Sequence, residues 1–280
     1  MNNSYSIFVN TTDRFEDCWY PFFKLFGTYW PDYKGKIYLN TEYKEFSYPG
    51  LNIISVKNSS ITKDADKVTW SECLIRALNV IDEDIILYMQ EDYFLKAPVK
   101  TETVSDFVGR MKENDIDCLH LTDQNTKGPF SLSEYTDLWI IGQSALDRVC
   151  CQAALWKKEI LLQYIKTWES PWQFETNGTK RANLLPHKFY TVNRNIYKLN
   201  INEIVPYIFT GVVQGRWYEG VIELFKENNI YVDFRKRGFL KDAKPKTLAD
   251  RLKKRWRNLP TELLSSLYLL KLKCKLKIFN

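Results

Sequence analysis

The stretch ILYMQEDYFLKAPV (Ile86–Val99) decides the fold, because an apolar run meets two adjacent acids and then turns apolar again. The apolar run reads as a strand that is buried on both faces, as are the central strands of sheets covered by helices. Tyr93 and Phe94 return the chain to the core, so Glu91 and Asp92 are expected in a sharp, tethered turn. Two interpretations stay open at this point: a surface loop, or a metal or phosphate site at the carboxyl end of a central strand.

Strand-like and helical segments alternate along the first half of the chain. The predicted strands are Ser4–Asn10, Lys36–Asn40, Leu51–Val56, Asp84–Gln90 and Asp117–Thr122, and the predicted helices are Phe15–Phe26, Lys67–Ile81 and Thr101–Asn114. This alternation predicts an α/β fold with a mixed, mostly parallel central sheet flanked by helices. Three of the predicted strands end in polar residues, and ligands of such sheets bind at the carboxyl ends of strands. The pattern therefore favours the site over the surface loop.

The second half of the chain is less regular. Its predicted strands are Leu138–Gln143, Val149–Trp156, Lys188–Val192 and Ile204–Phe209, and its predicted helices are Lys157–Lys166 and Val221–Asn229. Proline, glycine and polar residues predict a loop over Ser170–Arg181.

Length and composition indicate a globular chain. The 280 residues suit one large domain, or one domain with an appendage, and 45% apolar residues can form a sizeable core. No run approaches the roughly 20 apolar residues of a membrane span, and the N-terminus has no pattern of a secretory signal, so a cytoplasmic protein is expected. The six cysteines form no C-x-x-C pair, and two histidines argue against a zinc cluster.

The positive charge is concentrated at the end of the chain. Residues 241–280 carry twelve Lys or Arg against three acids, so residues 1–240 are close to −3 within a total of +6. Leu248, Leu252, Trp256 and Leu259 have helical spacing, and Pro260 is expected to end that helix. The last ten residues before Asn280 alternate with period two, as a strand would.

This basic amphipathic C-terminal extension is predicted to be a membrane-surface anchor, since cations meet anionic lipid while apolar side chains enter the interface. The alternative is that it packs on the body with its lysines solvated. No nucleic-acid partner is expected, because the body is slightly acidic and contains no recognisable nucleic-acid module.

Four ordered blocks carry a family resemblance. They are TWSECLIRAL (Thr69–Leu78), YMQEDYF (Tyr88–Phe94), CQAALW (Cys151–Trp156) and SPWQFE (Ser170–Glu175). With them the chain resembles bacterial glycosyltransferases of the GT-A fold, of the type found in capsule and O-antigen biosynthesis. The resemblance implies a GT-A-like domain over residues 1–240, with a nucleotide-sugar half at 1–95 and an acceptor half at 96–240. Residues 241–280 are then the extension.

The resemblance also implies an activity. The expected reaction is transfer of a sugar from a nucleotide sugar, with UDP as the expected nucleotide, to a growing bacterial surface glycan such as capsule, O-antigen or lipooligosaccharide. The expected partners are that donor, a glycan or lipid-linked glycan acceptor, and the inner face of the cytoplasmic membrane, where the enzyme would be peripheral.

The GT-A fold implies a metal site at the acid pair. Its usual Asp-x-Asp motif corresponds here to Gln90-Glu91-Asp92, so the first aspartate is missing. Asp92 is the expected first ligand of Mg²⁺ or Mn²⁺ and Glu91 the second, because a divalent cation bridges carboxylates to a diphosphate through oxygen ligands.

Inverting enzymes of this fold use a carboxylate base to deprotonate the acceptor hydroxyl. Glu175, 83 residues after Asp92, is the expected catalytic base, and Glu169 is the nearest rival. Trp172 and Phe174 beside it would lower the local polarity and raise its pKa. The alternative is that both aromatic residues are core and Glu175 is a surface acid.

The remaining predicted contacts follow from strand ends and from the family blocks. The expected nucleotide-sugar contacts are Thr11, Asp13, Arg14, Lys67, Trp70, Ser71, Gln90 and Arg216, and the expected acceptor contacts are Trp172, Gln152, Trp156 and Trp217. Arg216 and Trp217 lie in QGRW, which is one residue shorter than the Q-x-x-R-W block of processive glycan synthases. Arginine suits a diphosphate because one guanidinium group can donate two parallel hydrogen bonds to the oxygens of a phosphate.

Two other functions stay open on the sequence. A sugar nucleotidyltransferase would typically carry a glycine-rich basic loop near the first strand, and VNTTDRFED contains no glycine. A non-catalytic, membrane-associated carbohydrate-binding scaffold would bind no nucleotide.

Overall fold

The computed structural model describes residues 4–58, 68–124, 126–242 and 247–278. Within these ranges the chain forms a nine-stranded sheet in the order β3-β2-β1-β4-β8-β5-β9-β7-β6. The strands are β1 (Ser6–Asn10), β2 (Lys36–Asn40), β3 (Asn52–Ser55), β4 (Ile85–Gln90), β5 (Cys118–His120), β6 (Phe130–Leu132), β7 (Leu138–Ile141), β8 (Ala154–Lys157) and β9 (Phe189–Val192). A separate two-stranded hairpin pairs β10 (Val212–Val213) with β11 (Arg216–Trp217).

The sheet is mixed and mostly parallel, as predicted. β3, β2, β1 and β4 run parallel to one another. β8 is antiparallel to both β4 and β5, β9 is parallel to β5, and β7 is antiparallel to both β9 and β6. Seven of the nine described strands therefore point the same way, and only β7 and β8 are reversed.

Helices cover both faces of the sheet, which makes three layers. The described α-helices are α1 (Glu16–Tyr29), α2 (Trp70–Asn79), α3 (Thr101–Glu113), α4 (Lys158–Tyr164), α5 (Pro171–Ala182), α6 (Val221–Glu227) and α7 (Leu248–Ile278). The buried side chains of α1, α3 and α6 belong to the core on one face, and those of α2, α4 and α5 belong to the core on the other.

The continuous apolar runs of the central strands follow from this layering. Ile7 and Leu87 enter one core, whereas their chain neighbours Phe8 and Ile86 enter the other. Because successive side chains of a strand point to opposite faces, a strand with helices on both sides must be apolar at every position. This is why the sequence pattern predicted β1 and β4 correctly.

The predicted loop at Ser170–Arg181 is wrong, because this segment is helix α5. Pro171 takes the first helical position, where its missing N–H costs nothing, and the Gln173 side chain accepts a hydrogen bond from the Ser170 N–H at 3.0 Å. Gly178 is a packing residue here, since a Cβ at this position would lie 2.9 Å from Cγ1 of Val149.

The predictions for the C-terminal extension also need correction. Pro260 does not end the helix, and the described part of the period-two stretch, residues 270–278, is not a strand, because both lie within the single helix α7. Contacts between the body and the turns after Pro260 support the helix there: Gln173 Nε2 donates to Thr261 Oγ1 at 2.7 Å, and Trp168 Nε1 donates to Ser265 Oγ at 2.9 Å. Such contacts offset the hydrogen bond that a proline removes.

Smaller differences occur in the second half. The strand predicted over Val149–Trp156 is only β8, and the segment predicted over Ile204–Phe209 forms one isolated bridge between Tyr207 and Leu95. In the described part of the chain, no helix combines the length and apolar character needed to span a bilayer.

Candidate active site

A cleft of about 810 Å³ opens at the carboxyl ends of β1 and β4, which pair side by side. The cleft is lined by Asn10, Thr11, Thr12, Arg14 and Phe15 after β1, by Trp70 of α2, by Gln90, Glu91, Asp92 and Tyr93 at β4, by Cys151 and Gln152 before β8, by Pro171, Trp172 and Glu175 of α5, by Thr210, Val212, Val213, Gln214 and Gly215 around the hairpin, and by Lys254 of α7. Ligands of open α/β sheets bind at this edge. The volume suits a small-molecule ligand.

The acid pair lies in a tethered turn at the end of β4, and both residues are buried rather than on a surface loop. The Val212 N–H donates to Asp92 Oδ2 at 3.1 Å, and the Gly211 N–H donates to the backbone oxygen of Asp92 at 2.8 Å. Asp92 Oδ1 is buried without a hydrogen-bond partner. A buried carboxylate oxygen without a partner is costly unless a ligand or cation binds it.

Burial dominates the electrostatics of this pair. It raises the pKa of Asp92 to about 7, although the Val212 N–H opposes the shift. Burial and then the neighbouring Asp92 charge raise the pKa of Glu91 well above its usual range. The guanidinium of Arg237 donates a hydrogen bond to Asp17, and its positive charge opposes the rise in the pKa of both acids. Two adjacent buried acids favour a bound cation, because a cation compensates both charges at once.

The residues present fit a divalent cation only in part. Among the described residues, no group of three or more His, Cys, Asp or Glu side chains surrounds a common point. Asp92 and Glu91 thus offer two carboxylates, and a cation held there would take further oxygen ligands from a diphosphate and from water, as Mg²⁺ commonly does.

Glu175 lies one turn into α5 on another wall of the same cleft. Its Oε1 accepts a hydrogen bond from the Cys151 N–H at 2.8 Å. Burial raises the pKa of Glu175, and the Cys151 N–H limits that shift. A partly buried carboxylate with a raised pKa, fixed in position by a backbone donor, is suited to accept a proton.

The rival acid Glu169 has a structural role. Its two carboxylate oxygens bind the Arg181 guanidinium at 2.8 and 2.5 Å, and both side chains are fully buried. Glu169 is absent from the cleft lining. A carboxylate held in this way is not available to a substrate hydroxyl.

The predicted nucleotide-sugar contacts divide into four groups. The structure brings Thr11, Arg14, Trp70 and Gln90 together in the cleft. Asp13 and Ser71 form hydrogen bonds to backbone groups outside the cleft lining. Arg216 lies in a neighbouring cavity of about 510 Å³, which shares Arg14, Gln214 and Gly215 with the cleft. Lys67 lies outside the described residues.

Asp13 and Ser71 are structural. The Asp13 carboxylate accepts hydrogen bonds from the N–H groups of Glu42, Tyr43 and Lys44 at 2.9, 3.0 and 3.1 Å, and so joins the ends of β1 and β2. Ser71 is fully buried and donates to the backbone oxygen of Glu169 at 2.6 Å. Neither side chain lines the cleft.

The predicted acceptor contacts divide as well. Gln152 and Trp172 line the cleft, and the Trp172 side chain is 66% exposed. Trp156 and Trp217 are buried to 1% and 0% exposure, so they are core residues and not acceptor contacts. Trp156 packs edge-on against Phe189 within the core behind β8.

Sequence reasoning missed two parts of the cleft. Lys254 comes from α7, far along the chain, and its ammonium lies 5.0 Å from the ring centre of Trp172. The residues just before the QGRW block, 210–213, were also missed, although a glycine at position 211 is a signal for close backbone approach. A Cβ on Gly211 would lie 2.1 Å from the Phe94 ring and 3.0 Å from the backbone oxygen of Asp92, so only glycine lets this segment approach the acid turn.

Comparisons with known proteins show similarity only at the level of the fold. Neither a family model nor a curated protein matches this chain. Among solved structures, the chain is similar to S. aureus TarS 1-349, with a TM-score of 0.41, 11% identity, and coverage of 67% of this chain and 57% of that one. The complex of TarS 1-349 with UDP-GlcNAc gives a TM-score of 0.44 and 12% identity, with coverage of 67% and 55%.

A different protein, the bifunctional IspDF from Campylobacter jejuni, gives a TM-score of 0.33 and 16% identity, with coverage of 72% of this chain and 52% of that one. The chain thus spans little more than half the length of the structures it resembles. At these scores the similarity supports no inference about activity, which has to come from the cleft itself.

Proposed function

We propose that this chain is a glycosyltransferase that moves a sugar from a nucleotide sugar to a hydroxyl of a growing bacterial surface glycan, of the capsule, O-antigen or lipooligosaccharide type. The observation that carries the proposal is the presence of two different acidic centres in one cleft. One is the buried Glu91–Asp92 pair with an unpartnered oxygen, and the other is Glu175 on α5.

The acid pair is the donor side of the proposed site. A sugar diphosphate would bring negative charge to two carboxylates, and a divalent cation, Mg²⁺ or Mn²⁺, held by Asp92 and Glu91 would compensate both. When bound, the cation neutralises charge that develops on the leaving diphosphate. Arg14 adds a positive charge at the cleft and also lines the adjoining cavity that contains Arg216, and we propose that both guanidinium groups bind the diphosphate. UDP is the proposed nucleotide.

Glu175 is the acceptor side. As the acceptor oxygen forms its bond to the anomeric carbon, its proton passes to Glu175, and the bond from that carbon to the diphosphate oxygen breaks with its electron pair. Attack from the face opposite the leaving group inverts the anomeric centre. Trp172, exposed at the cleft beside Glu175, offers a flat apolar surface for a sugar ring.

The donor side is tested by calorimetry with UDP, GDP, CMP and dTDP, each with and without Mn²⁺. We expect one nucleotide to bind and to need the metal. Asp92→Asn should weaken that binding roughly tenfold or more, because contacts to charged groups are worth about 1.5–3 kcal/mol. Asp32→Asn is the matched control, since Asp32 is exposed and precedes β2, at the opposite edge of the sheet.

Each alternative outcome has a clear meaning. Binding that ignores both Mn²⁺ and Asp92→Asn would remove the metal role from the acid pair. Consumption of a nucleoside triphosphate with a sugar phosphate, and release of pyrophosphate, would indicate a nucleotidyltransferase. Binding of none of the four nucleotides would refute the donor site.

A further inference from the structure

Helix α7 exposes an apolar stripe along most of its length. Large apolar side chains at spacings of three or four residues are exposed at Leu252, Trp256, Leu259, Leu263, Leu267 and Leu270. At about 3.6 residues per turn, this spacing keeps them on one side of the helix. Apolar side chains in such a row are unusual on a water-facing surface.

The opposite side of α7 is the side that binds the body. Ser265 is fully buried, and its hydroxyl accepts from Trp168 Nε1 at 2.9 Å and donates to Glu169 Oε1 at 2.8 Å. The Tyr268 ring packs against Trp168, with 6.3 Å between the ring centres. At about 100° per residue, positions 265 and 268 lie across the helix axis from the stripe. The body therefore fixes the helix with its stripe facing outwards.

Cations border the stripe on both sides. Lys253 and Lys271 follow one edge, and Arg255 and Lys273 follow the other, each roughly 80° from the middle of the stripe. All four are exposed. Residues 248–278 contain nine Lys or Arg and two acids.

We propose that α7 docks on an anionic lipid surface, with the stripe in the interface and the bordering cations on the headgroup phosphates. An apolar face edged by Lys and Arg is the pattern of helices that lie in the plane of a membrane. A second copy of the chain fits less well, because two such stripes packed together would bring rows of like charges against each other.

Docking through α7 would hold the cleft about one helix diameter, roughly 10 Å, from the lipid. Lys254 lies on the side of α7 opposite the stripe, lines the cleft and lies above the Trp172 ring. A glycan carried on a lipid in that surface would then extend past the helix to the cleft while its lipid stays in the membrane. This last step rests on the proposed function, whereas the docking itself does not.

The test is co-sedimentation of the full chain with vesicles of phosphatidylcholine alone and with vesicles containing about one third phosphatidylglycerol. We expect binding to the anionic vesicles that weakens as salt is added. The triple variant Leu263→Glu, Leu267→Glu, Leu270→Glu should lower that binding at least about tenfold, because it removes apolar area and adds repelled charge.

A matched control makes the same chemical change elsewhere. Leu132→Glu, Ile201→Glu and Tyr231→Glu together also exchange three exposed apolar side chains for three acids, but on the body. This variant should bind vesicles far better than the stripe variant. Equal loss in both variants would show that net charge alone governs binding and would overturn the proposal.

Two further results would overturn it: no binding of the unaltered chain to anionic vesicles, or a dimer in light scattering that only the stripe variant converts to monomer. Nucleotide binding, measured by calorimetry on the same samples, reports on the cleft separately. A chain that binds nucleotide but no vesicles would refute the docking and leave the transferase proposal standing. A chain that binds vesicles but no nucleotide would refute the donor site and leave the docking standing.

Discussion

We expect the replacement of Glu175 by glutamine to lower kcat by about two to four orders of magnitude, the usual contribution of a positioned general base. Nucleotide affinity is expected to stay unchanged, because Glu175 and the acid pair lie on different walls of the cleft. The amide oxygen of glutamine can still accept the Cys151 N–H, so the geometry is kept while the proton acceptor is lost. The measurement is steady-state release of the nucleotide identified by calorimetry from its sugar derivatives.

The pH profile of the same variant separates a base from a structural acid. Burial raises the pKa of Glu175. At mildly acidic pH, Glu175 is therefore protonated in a larger fraction of the molecules, and a protonated Glu175 cannot act as a base. With nucleotide sugar and Mn²⁺ both saturating, kcat of the unaltered chain should therefore rise with pH through that raised pKa, and Glu175→Gln should lack this rise. Glu227→Gln, at an exposed position on α6, should retain full turnover and the rise. A Glu175→Gln enzyme with normal turnover would refute the assignment.

Replacing Arg181 by methionine lowers the free energy of unfolding by about 3–5 kcal/mol, because it leaves a buried carboxylate without its partner. Arg181 and Glu169 are both fully buried and joined by two hydrogen bonds, and Arg181 also donates to the backbone oxygen of Tyr164 at 2.6 Å. In a thermal melt the loss corresponds to a Tm lower by roughly 10 °C.

Two further variants show whether the buried charge is the cause. Lys226→Met breaks an exposed ion pair to Glu223, with 3.8 Å between Nζ and Oε2, and should change stability by less than about 0.5 kcal/mol. The double variant Glu169→Leu, Arg181→Met should be more stable than Arg181→Met alone, since it buries no unpaired charge. If the double variant is the less stable of the two, the ion pair contributes more than charge compensation.

The central strands could be predicted because the apolar pattern that specifies each of them lies within the strand itself. β1 is apolar over residues 7–9 and β4 over residues 85–89, and the polar residues Asn10 and Gln90 mark the strand ends. Helix α5 could not be predicted in the same way, because Gly178 reads as a loop residue until its contact with Val149 is known. The course of α7 through Pro260 likewise depends on the body surface beneath it.

The same distinction applies to the candidate site. Residues at strand ends, such as Thr11 and Asp92, were predicted to be close together because parallel strands end at one edge. The prediction that tryptophans in short sequence blocks contact the acceptor was not reliable. Trp172 is exposed in the cleft, whereas Trp156 and Trp217 are core residues. Burial of a large aromatic side chain is decided by tertiary packing, which a block of six residues does not contain.

The contacts beneath α7 have a consequence for truncation. A chain cut before Leu248 would uncover Trp168 Nε1, Glu169 Oε1 and Gln173 Nε2, which are each bonded to α7 in the intact chain. Removing the basic end of the chain to improve its solubility would thus also disturb the interior of the body. A soluble form is better sought by changing side chains on the outward face of the helix and keeping its backbone in place.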